Sequence, residues 1–160
     1  MIVILTGVAG AGKTTIGKRL ASDLGWKFYD ADDLHPPANI DKMRRGEPLD
    51  DADRAPWLAS VREIIRAALD RRENAVIACS ALKESYRTML RVAPEVLFVY
   101  LRIDPPLAQE RMARRAGHFF NPNLTASQFA TLEEPTDVLQ IDAALPPEEI
   151  VKEIRQRLAL

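Results

Sequence analysis

The amino-acid sequence predicts an α/β fold, a five-stranded parallel sheet with helices on both faces. Short apolar segments rich in β-branched residues alternate with segments whose apolar residues recur at helical spacing. This alternation is typical of parallel sheets. A chain of 160 residues has the size of one domain. Since neither an internal repeat nor a linker divides it, residues 1–160 are predicted to form a single domain.

Five segments have the character of strands. The first, Ile2–Thr6, is a short, continuous, β-branched run, which indicates a strand buried on both faces of a parallel sheet. The other four are residues 27–30, 75–79, 96–101 and 138–142. We expect any ligand to bind at the carboxyl ends of these strands.

Five helices are predicted around the strands. The apolar residues of Lys13–Leu24 recur every four positions, and Gly25 follows as a stop signal. Residues 57–69 show a helical apolar face that is expected to begin at Pro56. The remaining predicted helices are residues 83–92, 105–116 and 146–158.

The composition argues against several classes of function. The 22 Lys and Arg residues against 23 Asp and Glu give a net charge of −1, so the basic excess of a nucleic-acid-binding protein is absent. Cys79 is the only cysteine, which excludes an internal disulfide and does not indicate an oxidising compartment. No apolar stretch approaches the ~20 residues that span a bilayer, and the N-terminus has no basic leader. We therefore expect a cytoplasmic protein with neither a nucleic-acid nor a membrane partner.

Two polar segments interrupt the pattern. Residues 31–54 are dense in Asp, Arg and Pro, and residues 117–134 contain Gly, His, Asn and aromatic residues. Polar insertions of this length in a compact domain are either disordered or functional. Because their composition favours a function, we expect residues 31–54 to bind a substrate and residues 117–134 to form a lid.

The segment after the first strand fits the phosphate-loop pattern G-x-x-x-x-G-K-[ST]. Glycines allow backbone N–H groups to face phosphates, Lys13 can reach the β- and γ-phosphate oxygens, and Thr14 offers a hydroxyl to Mg²⁺. The motif lies between a predicted strand and a predicted helix, as it requires. The alternative is a tight turn that binds no ligand. The residues predicted to bind ATP are Gly7, Val8, Ala9, Gly10, Ala11, Gly12, Lys13, Thr14 and Thr15.

Acidic residues follow the second strand, at Asp30, Asp32 and Asp33. The third strand ends in Cys79 and Ser80 without the acid that many ATPases place there, and no Asn-Lys-x-Asp signature of a guanine-specific switch is present. Carboxylates opposite a phosphate loop can hold Mg²⁺ waters and accept a proton from a hydroxyl. The alternative is a solvated turn with a helix cap.

Four blocks of the chain, in order, resemble the gluconate kinases of the shikimate-kinase and nucleoside-monophosphate-kinase-like group. They are GVAGAGKTT at 7–15, DADDLHPPANIDKMRRGEPLDDADRAPWL at 30–58, ACSALKESYRTMLR at 78–91 and GHFFNPNLTASQFATLEEP at 117–135. The second and fourth blocks are specific to gluconate kinases. Shikimate kinases share the Asp-x-Asp after the second strand but lack the LHPPANIDKM and GHFF…SQF stretches. The chain departs from the family at Ala9 and Ala11, where Ser is common, and in the lid sequence FNPNLTA.

This resemblance implies a P-loop NTPase-type fold and a kinase that transfers the γ-phosphoryl group of ATP to the 6-hydroxyl of D-gluconate. It also implies Mg²⁺ as a cofactor and a homodimer as the assembly. The alternatives are a shikimate or other small polyol-acid kinase, and a nucleotide-binding module without turnover. Two observations distinguish the three: ATP consumption with gluconate supplied, and whether that consumption vanishes with shikimate.

The resemblance places Asp32 as the base that receives the proton of the acceptor hydroxyl, and the alternative for Asp32 is a helix N-cap. Asp30 is expected to act as an outer ligand of Mg²⁺ beside Thr14. Asp33 is expected to be structural.

Arg111 and Arg115 are four residues apart, so they share one face of the predicted helix before the lid. Kinases of this architecture use such arginines to neutralise charge on the transferring phosphoryl group, and Lys13 acts on the same charge. The alternative is a solvated basic face.

Gluconate carries a carboxylate and a row of hydroxyls, so its pocket needs a cation and polar donors. Arg54 and Arg87 could instead pair with surface acids, and His35 could hold its own loop. Besides Asp32, the candidates for gluconate binding are His35, Arg54, Ser80, Arg87 and His118.

Overall fold

The computed structural model of the protein describes residues 1–115 and 121–160. Five strands form one sheet of order β2-β3-β1-β4-β5, and every neighbouring pair is parallel. The strands are β1 (Ile2–Thr6), β2 (Lys27–Asp30), β3 (Ala75–Ala78), β4 (Val96–Arg102) and β5 (Leu139–Asp142). The predicted sheet is therefore confirmed, and each strand limit falls within one residue of its prediction.

Seven α-helices occur in the described part of the chain. They are α1 (Lys13–Leu24), α2 (Pro37–Arg44), α3 (Asp51–Asp70), α4 (Glu84–Leu90), α5 (Pro105–Ala113), α6 (Thr125–Thr131) and α7 (Pro147–Leu158). Short 3₁₀ turns cover Ala31–Leu34 and Pro122–Leu124. None of these helices is long and apolar enough to cross a membrane.

The central strand β1 is apolar toward both faces of the sheet. Its residues Val3 and Leu5 pack in a core with Leu20 of α1 and Ile154 of α7. Ile2 and Ile4 belong to a second core that includes Trp57 and Val61 of α3. Alternate residues of a strand face opposite sides, so the continuous apolar run seen in the sequence is what a strand between two helical layers requires.

Helix α3 begins five residues earlier than predicted, at Asp51 rather than at Pro56. The Asp50 carboxylate accepts a hydrogen bond from Asp53 N at 2.7 Å, and the Asp53 carboxylate accepts one from Asp50 N at 3.0 Å. This reciprocal capping box satisfies two backbone donors that the first turn leaves unpaired. Pro56 is tolerated inside the helix because the bond it cannot donate would go to the carbonyl of Ala52, an exposed residue that water can reach.

The two polar segments contain helices that were not predicted. Helix α2 lies in the 31–54 segment, and α6 lies in the 117–134 segment. Helix α5 ends at Ala113 rather than near residue 116, with Arg114 as its C-cap. The two segments also touch each other, through an apolar cluster of Met43, Leu49, Met112 and Leu124 that packs against Ala9.

Candidate active site

A cavity of about 310 Å³ lies at the carboxyl ends of the strands, where ligands of parallel α/β sheets bind. The phosphate loop lies on one side, and the 31–54 segment and α6 contribute the other walls. The predicted site residues that line it are Ala9, Gly10, Gly12, Lys13, Thr14, Thr15, Asp30, Asp32, His35, Arg54, Ser80, Arg111 and Arg115. The described lining does not include Gly7, Val8, Ala11 or Arg87. His118 lies outside the described residues.

The phosphate loop has the backbone geometry that its glycines predict. Gly10 has a φ of 89°, and a Cβ there would come within 2.8 Å of the Ala108 carbonyl oxygen. Gly12 has a φ of 90° and is the N-cap of α1. L-residues with side chains rarely adopt such φ values. The loop therefore needs glycine at both places to bring the start of α1 to the cavity, where its N–H groups and dipole favour an anion.

The Lys13 side chain folds back over the phosphate loop, and its Nζ donates a hydrogen bond to the Val8 carbonyl at 2.9 Å. Burial lowers the pKa of Lys13, while the nearby Asp32 carboxylate acts in the opposite direction. The ammonium group thus lies in a desolvated place beside the loop, where a phosphate anion would be a favourable partner.

Thr14 and Asp30 form a polar pair at the base of the cavity. Thr14 Oγ1 donates a hydrogen bond to Asp30 Oδ2 at 2.7 Å, and Asp30 Oδ1 accepts one from Asp32 N at 3.0 Å. A hydroxyl next to a carboxylate beside a phosphate loop is a donor set that suits Mg²⁺. Asp30 also caps the 3₁₀ turn Ala31–Leu34, so the cap role considered as an alternative for Asp32 belongs to Asp30.

The Asp32 carboxyl has a pKa above the usual range of an aspartate. Burial raises its pKa to about 6, and the positive charge of Lys13 acts in the opposite direction. A carboxyl whose pKa lies close to neutrality is suited to exchanging a proton with a substrate. By contrast, burial raises the pKa of the neighbouring Cys79 thiol to about 12, so this cysteine stays protonated and unreactive.

His35 and Arg54 line the cavity on the side of the 31–54 segment. The His35 ring stacks on Trp57, with ring centroids 4.4 Å apart and an angle of 12° between the planes. Arg54 is only 8% exposed; its Nη1 donates to the Leu49 carbonyl at 2.7 Å, and its guanidinium lies over the Tyr86 ring at 5.7 Å. A guanidinium held in this way offers its remaining N–H groups to a carboxylate.

Arg87 has a different environment from the one predicted. Its side chain is 1% exposed, and Nη1 donates to the carbonyls of Ala81 and Leu82 at 2.9 and 3.1 Å. Nη2 donates to the Glu133 carbonyl at 2.7 Å and to the Glu84 carboxylate at 2.9 Å. These bonds tie the segment after α6 to the turn after β3, so the structure gives Arg87 an anchoring role away from the cavity.

Arg111 and Arg115 both line the cavity, although α5 ends between them. Arg111 Nη1 donates to the Gly10 carbonyl at 3.2 Å, and Nη2 donates to the Ala143 carbonyl at 2.9 Å. The charge of Arg115 acts on both Asp32 and Lys13. The two arginines thus bring positive charge to the phosphate loop from the C-terminal end of α5.

The polar residues at or behind the cavity wall that were not predicted from the sequence include Gln128 and Asn39. Gln128 of α6 accepts a hydrogen bond from Ala9 N at 2.7 Å through Oε1, which joins α6 to the phosphate loop. Asn39 of α2 is 4% exposed and contacts His35. Both lie inside the blocks that resemble gluconate kinases, but nothing in the local pattern separates them from surface amides.

Comparisons with known proteins agree with this geometry. The shikimate kinase family model matches residues 9–159. A gluconokinase of Gluconobacter oxydans is 43% identical over 157 residues, which cover 95% of this chain and 88% of that protein. The structure of a gluconokinase from Sinorhizobium meliloti is 43% identical, has a TM-score of 0.86 and is matched over 98% of this chain and 90% of that one. A sugar kinase from Janibacter has a TM-score of 0.90 at 41% identity, with coverage of 99% and 94%.

These matches extend over nearly the whole chain, and the family model includes the acidic turn, the 117–134 segment and the phosphate loop from Ala9 onward. The resemblance read from the four sequence blocks is therefore confirmed. The chain belongs to the shikimate kinase family and, within it, to the gluconokinases, which are ATP-dependent small-molecule kinases.

Proposed function

We propose that this protein phosphorylates D-gluconate with ATP and forms 6-phospho-D-gluconate. The observation that carries the proposal is the place of Asp32, which lines the cavity between the phosphate loop and a side wall that contains Arg54 and His35. The gluconokinases at 43% identity support this choice of acceptor. The cavity thus has a nucleotide side, an acceptor side and a carboxylate between them.

On the nucleotide side, residues 7–15 would bind the phosphates of ATP through backbone N–H groups and Lys13. Mg²⁺ would be held by the Thr14 hydroxyl and, through its coordinated water, by Asp30, and it would supply positive charge to the phosphates. The hydrogen bond of 2.7 Å between these two side chains shows that both reach the same place.

On the acceptor side, Arg54 would bind the gluconate carboxylate, and His35 and Ser80 would bind hydroxyl groups. Arg54 suits the carboxylate because its guanidinium is desolvated and already oriented by Leu49 and Tyr86. His118 stays a predicted substrate ligand, since it lies outside the described residues. Arg87 is not part of this proposal, because its guanidinium binds backbone carbonyls elsewhere.

In the reaction, the acceptor hydroxyl oxygen forms a bond to the γ-phosphorus while the bond from that phosphorus to the β–γ bridging oxygen breaks. Asp32 orients the hydroxyl and accepts its proton late in the transfer. Lys13, Arg111 and Arg115 stabilise the charge that develops on the phosphoryl oxygens. Each of these side chains lines the same cavity.

The biological setting is proposed from the composition of the sequence and from the resemblance to gluconate kinases. We propose a cytoplasmic enzyme of carbohydrate acid catabolism that acts as a homodimer, and light scattering on the purified protein tests the assembly. Residues 31–54 would serve as its substrate-binding insertion and residues 117–134 as its lid.

A coupled assay of ADP release tests the function. We expect ATP turnover with gluconate and none above background with shikimate. Turnover with shikimate alone would favour a shikimate kinase, and binding of ATP without turnover on either acid would favour a nucleotide-binding module.

A further inference from the structure

Behind the acceptor side of the cavity, the buried residue Asn39 connects α2, α3 and the His35 ring. Its Nδ2 donates a hydrogen bond to the Asp53 carbonyl at 2.8 Å and lies 3.3 Å from His35 Nδ1. A carbonyl can only accept, so the Asp53 contact requires the amide nitrogen, rather than the amide oxygen, on this side of Asn39. The second hydrogen of that nitrogen is then the one shared with His35.

This contact determines where the proton of His35 resides. A ring nitrogen that accepts a hydrogen bond carries no proton, so in the neutral ring the proton is on Nε2. Burial lowers the pKa of His35 to about 4, and the positive charge of Arg54 acts in the same direction. The imidazolium form, in which Nδ1 would have to donate toward Asn39, is therefore disfavoured at neutral pH.

The ring is also fixed in orientation. It stacks on Trp57, and the Trp57 indole is itself held by a hydrogen bond of 2.7 Å from Nε1 to the Ala31 carbonyl. With Nδ1 bound to Asn39 and one face against Trp57, the ring has little freedom to rotate. A flip of 180° about the Cβ–Cγ bond would replace Nδ1 by Cδ2–H, which cannot accept a hydrogen bond from the Asn39 amide.

We propose that Asn39 is a positioning residue that holds His35 as an Nε2–H donor, so that this part of the cavity accepts a hydroxyl or carboxylate oxygen and rejects an ammonium group. The proposal rests on the proposed function in taking this wall as the acceptor side. It assigns a specificity role to a residue that need not touch the substrate.

The tautomer can be measured directly by ¹⁵N NMR of the imidazole nitrogens at pH 7. The chain has two histidines, so the signals missing from a His35→Gln variant identify those of His35. We expect wild-type His35 to be neutral with the proton on Nε2. In Asn39→Asp, which keeps the side-chain volume but cannot donate, we expect the proton to move to Nδ1. A wild-type ring protonated on Nδ1, or identical His35 signals in both proteins, would overturn the proposal.

Kinetics provide the second readout. Loss of one oriented hydrogen-bond donor should raise the KM for gluconate of Asn39→Asp by about tenfold, while the KM for ATP stays at the wild-type value. Asn74→Asp is the matched control, because Asn74 is exposed and lies just before β3, at the opposite end of the strand from the cavity. Equal changes in both KM values, or a lower melting temperature as the sole effect, would give Asn39 a purely structural role.

The NMR and kinetic measurements distinguish a failure of this proposal from a failure of the proposed function. If the wild-type protein did not phosphorylate gluconate, the proposed function would fail, and the NMR spectra would still decide the tautomer. If gluconate is phosphorylated but His35 is protonated on Nδ1, the positioning role of Asn39 fails alone.

Discussion

Replacing Asp32 by Asn removes the proposed proton acceptor while keeping the size and shape of the side chain. The hydrogen bond from the backbone N of residue 32 to Asp30 does not involve the side chain that is changed, so the turn keeps its cap. The nucleotide side of the cavity is formed by the phosphate loop and is also unaltered. We therefore expect a folded protein that binds ATP normally.

The size of the effect follows from the titration of Asp32. With a pKa of about 6, roughly nine-tenths of the protein carries the ionised carboxylate at pH 7. An amide cannot accept a proton, and the loss of a general base lowers kcat by about 10²–10⁴. We expect Asp32→Asn to lose at least a factor of about 100 in kcat, with a change of less than about threefold in the dissociation constant of ATP.

The same pKa gives an expected pH dependence for the wild-type enzyme. As the pH falls through about 6, Asp32 becomes protonated and can no longer accept the hydroxyl proton. The value of kcat/KM should therefore decline on the acid side of about pH 6. This limb should be absent from the residual activity of Asp32→Asn.

Steady-state rates with gluconate, together with titrations of a non-hydrolysable ATP analogue, measure these effects. Asp33→Asn is the matched control, because Asp33 lies on the same turn but is exposed. We expect it to keep nearly wild-type kcat. If Asp32→Asn retained more than about a tenth of wild-type kcat, or if Asp33→Asn were the more damaging change, the base would have to be sought elsewhere.

Three further substitutions test other parts of the site. Lys13→Ala should lower kcat by at least about a hundredfold. Near wild-type turnover of this variant would show that the phosphate loop is not part of the active site. Arg87→Met should lower the free energy of unfolding by at least about 2 kcal/mol because it leaves buried carbonyls unpaired; a raised KM for gluconate with unchanged stability would restore Arg87 as a substrate ligand. Gln128→Glu can still accept from Ala9 N but places a negative charge beside the phosphates, so the dissociation constant of ATP should rise by at least about tenfold. The exposed Gln156→Glu on α7 is its control, and equal affinities in the two variants would refute this effect.

The sheet and the phosphate loop could be predicted because each depends on a local pattern. Residues 2–5 must be apolar because they face both helical layers, and the glycines must allow positive φ values. Both requirements are visible in a few consecutive residues. The acidic turn was predicted for a similar reason, since it directly follows a recognisable strand.

Helices α2 and α6 could not be predicted because they are short and mostly polar. Helix α2 buries only Asn39 and Met43, and α6 buries only Thr125. With so few buried residues, no apolar periodicity develops. Their stability comes from tertiary contacts, such as the packing of Leu124 and Met43 in one cluster.

The charged residues show a second limit of sequence reasoning. Arg54 and Arg87 are both arginines in blocks that resemble gluconate kinases. In the structure, Arg54 lines the cavity, whereas Arg87 donates hydrogen bonds to buried backbone carbonyls away from it. The environments of the two arginines differ because the chain after α6 brings the Glu133 carbonyl to Arg87. That contact joins residues 46 positions apart and leaves no local trace in the sequence.

The proposed transfer of the γ-phosphoryl group of ATP to the 6-hydroxyl of gluconate can be followed by ³¹P NMR of the reaction products. The purified protein, ATP, Mg²⁺ and gluconate are incubated together, and proton coupling identifies the carbon that bears the new phosphate. We predict a phosphomonoester coupled to the two protons of the C6 methylene group, formed in equal amount to ADP. A phosphate ester on another carbon, or release of inorganic phosphate without any ester, would show that the protein does not catalyse this transfer.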